Sequence, residues 1–187
     1  MSTLLTTNIK HASSSSNNIV LNSDGSTTIA SGAGKILQVV STVKKDTASS
    51  TVLNNATDPY FFLTLNITPA SASNKIIIYA YATVGSSGGT TFRYQINRDS
   101  TPVDIGDAND PARSRATSGT NIQETWEVAN IATMNLDSPN TTSQVTYKLG
   151  LSNGTSGSTW YINRSSTDGS DQYVRGTSGI LLMEVAA

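Results

Sequence analysis

Along much of the chain, apolar and polar residues alternate one by one. Val145, Tyr147, Leu149 and Leu151 alternate with Gln144, Thr146, Lys148 and Gly150. This two-residue period predicts a strand with one face buried. It recurs where Phe92, Tyr94 and Ile96 alternate with Arg93, Gln95 and Asn97, and where Phe61, Leu63, Leu65 and Ile67 oppose Phe62, Thr64, Asn66 and Thr68. Trp160 and Ile162 oppose Tyr161 and Asn163 in the same way. Further strands are predicted at 36–44, 75–84, 122–130 and 179–186. Turn-forming clusters separate them at 54–59, 86–89, 137–140 and 153–154. No segment carries a helical period with caps. This pattern predicts an all-β fold, an antiparallel β-sandwich that is jelly-roll-like, over residues 35–187.

Two of these segments break the alternation. Residues 76–81 and Ile180, Leu181, Leu182 and Met183 are apolar at every position. In an antiparallel sandwich one face packs the core, so a second apolar face needs its own cover. A covering loop would serve. Contact between subunits of a cyclic homo-oligomer is the preferred reading, with Ile77, Tyr79, Tyr81, Leu182 and Met183 as candidate interface residues.

Residues 1–34 read differently. Ser13–Asn18 is a polar run, and only Ile19–Leu21 and Thr27–Ile29 are β-prone, split by Asp24-Gly25, a hairpin signal. A lone hairpin is marginal in water. This segment is expected to be an extended anchoring arm that orders against a partner; the plainer alternative is a disordered leader.

Ser, Thr and Asn make up 69 of 187 residues, while 13% are charged and the net charge is −1. A neutral hydroxyl- and amide-rich surface resists nonspecific adhesion and suits the exterior of a large assembly. The charge argues against an electrostatic nucleic-acid binder. With no cysteine, disulfides and thiolate metal sites are excluded. No apolar run nears the roughly 20 residues that span a bilayer, so no membrane insertion is expected. The first ten residues lack the pattern of a secretion signal.

The catalytic inventory is thin, and neither an enzyme nor a cofactor is expected. His11, the sole histidine, sits in the polar leader, which removes the Ser–His–Asp class. Glu124 and Glu127, on the expected 122–130 strand, would point to opposite faces. Asp104, Asp107 and Asp110 form a weak candidate for a hard cation, without the spacing of an EF-hand loop. Two long stretches between strands, 99–121 and 164–178, combine guanidinium groups and carboxylates, and the second adds an aromatic ring, Tyr173. Long loops at a sandwich end tend to carry binding. Arg113, Arg115, Arg164, Tyr173 and Arg175 are therefore candidate receptor-binding residues for a hydroxyl-rich ligand such as a host surface glycan.

The order of several short motifs is also informative. These are Gly34–Val40, Leu65–Ser71, Ser73–Ile77, Leu136–Pro139, Val145–Tyr147, Tyr161–Arg164 and Leu182–Ala186. Together they resemble a β-sandwich domain frequent in virion proteins of tailed phages, marine and cyanobacterial ones especially. The leader, from Thr7–Lys10 through Asn18–Gly25, is similar to amino-terminal segments of phage tail-fibre-like proteins. The resemblance implies a non-enzymatic virion structural protein, made in the host cytoplasm and usually homotrimeric. It further implies a short tail-fibre-like role, with residues 1–34 docking on other virion proteins and the head touching the host surface. Similar domains in head-decorating proteins make capsid decoration the alternative.

Overall fold

The computed structural model describes residues 6–10, 12, 19–29, 35–51, 59–108, 114–153 and 158–187, and in them every regular element is a strand. β1 (Asn8–Ile9), β2 (Ile19–Leu21) and β3 (Thr27–Ile29) form an antiparallel sheet of their own. β2 and β3 make the hairpin that Asp24-Gly25 predicts. Gly25 has φ +82°, which costs little only without a Cβ, and Asp24 Oδ1 accepts from Ser26 N and Oγ at 2.9 and 2.7 Å.

The remaining strands are β4 (Ile36–Lys44), β5 (Ala48–Ser50), β6 (Tyr60–Ile67), β7 (Lys75–Ser86), β8 (Thr90–Arg98), β9 (Thr101–Val103), β10 (Ser118–Ile122), β11 (Val128–Asp137), β12 (Val145–Asn153), β13 (Trp160–Ile162) and β14 (Ser178–Val185). They build two antiparallel sheets. The first runs β10-β8-β12-β6, with β9 as a short addition on β8. The second runs β4-β14-β7-β11; where β14 ends, β13 and then β5 continue beside β7. Counting only the eight principal strands in chain order, the sheets read 2-7-4-5 and 1-8-3-6. Apart from the adjacent pair 4-5, successive strands thus cross between sheets in the manner of a jelly roll.

The alternation explains the core. Phe92, Tyr94 and Ile96 of β8 and Tyr147, Leu149 and Leu151 of β12 point inward from the first sheet. Ile76, Ile78, Ala80, Ala82 and Val84 of β7, with Ile180 and Leu182 of β14, meet them from the second. A polar lock closes one end: Arg98 donates to both Asp137 oxygens at 2.7 and 2.6 Å, and the Tyr147 hydroxyl donates to Asp137 Oδ2 at 2.6 Å. β14 also carries a fully buried carboxylate, Glu184. It accepts hydrogen bonds from Asn74 Nδ2, Gln38 Nε2 and Ala70 N at 2.6, 2.6 and 2.7 Å. Burial pushes its pKa up, but these donors outweigh that and hold it below the ordinary glutamate value.

Four expectations need correction. The 122–130 strand is instead the end of β10, a turn at 123–127 and the start of β11, because Glu127 Oε2 accepts from the backbone N–H of Gln123 and Glu124 and folds the chain back. The 99–121 stretch is not strand-free: it holds β9 and β10. β10 has a single large apolar residue, Ile122, and is held by its register with β8 rather than by its own pattern. A bulge where β6 meets Gly150 breaks the expected face of β6: Phe62 packs against the core beside Leu63, and Phe61 turns outward over Gly150. Leu182 is 0% exposed and packs between the sheets, so it belongs to the core and not to an outer interface.

Candidate functional site

The outer face of the second sheet collects the side chains that the core does not use. The strand registers align them in three rows across β4, β14, β7 and β11. The rows are Val39–Met183–Ile77–Leu136, Ser41–Leu181–Tyr79–Met134 and Val43–Gly179–Tyr81–Ala132. No charged side chain stands in any row. Met134 is 66% and Val39 54% exposed, and Val43, Tyr79, Tyr81 and Leu136 are exposed as well. The Tyr81 ring lies against Gly179, where a Cβ would come within 2.7 Å of it. The ring thus occupies the space above Gly179, its hydroxyl 3.2 Å from Thr177 Oγ1. Four strands and about five residues of length give a flat patch of roughly 19 by 17 Å, on the order of 300 Å² in projection. The largest apolar patch on a monomer is itself a few hundred Å², so the absence of charge in these rows, more than their area, sets this face apart.

Of the five interface candidates, Ile77, Tyr79, Tyr81 and Met183 share this face; only Leu182 points the other way. The signal in the sequence was the unbroken apolar run of β7 and β14. Val39, Val43, Met134 and Leu136 were not singled out, because their strands looked half-polar taken one at a time. They join the patch only through the register.

A second region lies at the end of the sandwich, where the 123–127 turn meets the 163–177 segment. Thr167 N donates to Thr125 O at 3.0 Å, and their side-chain oxygens lie 3.2 Å apart. Gly85 of β7 allows the approach, because a Cβ there would collide with the backbone of Arg164 and Ser165. Arg175 grips Asp168 through Nε and Nη2 at 3.0 and 2.6 Å. This pairing holds the Asp168 carboxyl below its usual range and raises Arg175. Arg164 lies 4.2 Å above the Tyr161 ring and 3.8 Å from Asp168. Arg164 and Arg175 thus join one internal cluster. Tyr173 lies apart from it, in an open cleft with Trp126, Glu127, Val128, Gln172 and Val174.

Arg115 sits on the loop after β9, donating through Nε to Gly106 O, beside a surface cavity that also touches Arg93 and Asp107. Asp104 adopts φ +47° and accepts from Asn135 Nδ2 at 2.9 Å. Arg113 and Asp110 lie outside the described residues, as does His11. Among the described residues, no three His, Cys, Asp or Glu are grouped to hold a metal ion. Trp126 stands on the 123–127 turn and not on the strand expected at 122–130, and this places it in the cleft. No protein-family model and no curated protein matches the chain.

Proposed function

We propose that the chain is a non-enzymatic virion structural protein of a tailed phage, a homotrimeric, short tail-fibre-like head. Its apolar sheet face packs against two further copies. Its amino-terminal arm docks on other virion proteins, and its loop end turns toward the host surface. The observation that carries this reading is the set of three uncharged rows on the outer face of β4-β14-β7-β11. Further copies are its best occupants, because the apolar rows of three chains turned toward a three-fold axis can cover one another without leaving a charge buried. A stable interface buries about 800 Å² per partner, so the patch would supply its dry centre and the surrounding polar positions the rim. The order of three, the virion setting and the anchoring arm are supported by the resemblance of the motifs between residues 34 and 186 and of the leader.

Capsid decoration is the second reading. One observation favours it: Arg164 and Arg175, two of the loop cations offered for receptor contact, are engaged with Asp168 within the chain. Quantitative mass spectrometry of purified particles tests both. Tens of chains per particle fit a fibre, hundreds fit decoration, and absence from particles sinks the virion reading.

A further inference from the structure

We infer that the cleft between the 123–127 turn and the 172–174 segment binds a neutral saccharide, with the Trp126 indole as the platform on which a pyranose ring stacks. The inference rests on the outward-facing role proposed above and adds the ligand class and the residues that read it.

The two tryptophans of the chain are treated in opposite ways. Trp160 is 2% exposed in the core, whereas Trp126 is 57% exposed on a turn. A large ring left in water beside convergent polar groups is a recognition feature rather than a packing one. A pyranose presents an apolar C–H face and a rim of hydroxyls. It therefore needs a flat aromatic surface with donors and acceptors around its edge.

The cleft, about 660 Å³ in volume, offers that combination. Trp126 and Tyr173 supply rings, Val128 and Val174 apolar lining, and Gln172 an amide that both donates and accepts. Glu127 is fixed through Oε2 by the backbone N–H of Gln123 and Glu124 at 2.7 and 3.0 Å, which leaves Oε1 as an acceptor for ligand hydroxyls. Hydrogen bonds from the backbone at Glu124 and Gln123 hold this carboxyl below its ordinary pKa, so it is ionised at neutral pH.

Charge narrows the ligand further. Glu127 is the one charged residue among the described residues lining the cleft, and the nearby Arg175 is already paired with Asp168. Uronic acids, sialic acids and sulfated sugars would meet a carboxylate with no cation among the described lining residues to offset it. A neutral sugar would meet hydrogen-bond partners alone. The walls are also pinned before any ligand arrives, by the Thr125–Thr167 contacts and by Tyr173 N donating to Ser170 O at 3.3 Å. Little ordering cost is then left for binding.

Calorimetric titration of the full-length protein tests the inference. The neutral probes are maltohexaose, xylohexaose and the hexamer of N-acetylglucosamine, with oligogalacturonate as the anionic probe. We expect at least one neutral oligosaccharide to bind at millimolar concentration or tighter and oligogalacturonate not to bind. Binding should shift the exposed Trp126 emission to the blue and shield it from iodide. Trp126→Ala should weaken binding at least about tenfold, and Tyr173→Ala by a smaller factor, with melting temperature and oligomer mass unchanged. The inference is overturned if no neutral probe binds at millimolar concentration, if oligogalacturonate binds better, or if Trp126→Ala binds like the parent. These readouts use isolated protein, so they can fail while particle copy number and oligomer mass hold, and the reverse.

Discussion

On the outer face of the first sheet, the side chains of Thr64, Asn66, Arg93 and Lys148 stand in or near solvent. The one large ring there, Phe61, has the Lys148 ammonium 5.6 Å from its centroid. In the three rows on the outer face of the second sheet, nine of the twelve positions are valine, leucine, isoleucine, methionine or tyrosine, and the others are Ser41, Gly179 and Ala132. Both sheets pack the same core, and both inner faces follow the same two-residue period. Folding of the single chain therefore accounts for the inner apolar residues of both sheets and for none of the outer ones on the second. On the proposed reading, the outer rows are apolar because another copy covers them.

Substitutions within β14 separate the two demands most sharply, because neighbouring residues face opposite ways. Leu182→Asp would place an unpaired carboxylate between the sheets and should cost several kcal/mol, enough to unfold a marginal domain. Met183→Asp, one residue on, should leave the chain folded and abolish self-association. Circular dichroism with sedimentation velocity reads both; matching effects of the two variants would erase the distinction between the faces.

Glu184, the next inward residue, should give a smaller and pH-dependent effect. Glu184→Ala leaves the donors of Gln38, Asn74 and Ala70 without their acceptor and should cost about 3 kcal/mol. Because its folded pKa is depressed, Glu184 contributes stability that is fully present above its unfolded value. That contribution is lost as pH falls through the folded one. Denaturant unfolding between neutral and acid pH should show this acid limb in the parent and a flatter one in Glu184→Gln. Equal limbs would mean that the carboxylate is not held as its hydrogen bonds imply.

The polar face supplies the smallest effects. Thr64→Asp and Asn66→Asp should change stability by under about 0.5 kcal/mol and leave the oligomer intact. Met134→Asp on the apolar face should dissociate it at the same concentration. Dissociation by Asn66→Asp would move the interface to the other sheet.

Much of this division was legible in the sequence. Strict alternation located β8, β12 and most of β6, and the doubly apolar runs marked β7 and β14 as strands that are apolar on both faces. What stayed hidden depends on contacts distant in the chain. β10 has almost no apolar pattern and exists through its pairing with β8. The Glu127 carboxylate turns a strand-like run into a tight bend, which is what exposes Trp126. The bulge opposite Gly150 flips Phe61, and no local period announces it. Leu182 and Met183 were indistinguishable in an unbroken apolar run, since only the register with β7 says which one faces the core.

The mass of the full-length protein in solution tests the central claim most directly. Light scattering after size exclusion at micromolar concentration should give three times the 19.6 kDa chain mass. Met134→Asp should reduce it to one chain with the β-sheet signal retained. A parent protein that is folded and monomeric at that concentration would contradict the account, leaving the apolar rows of the second sheet open to water.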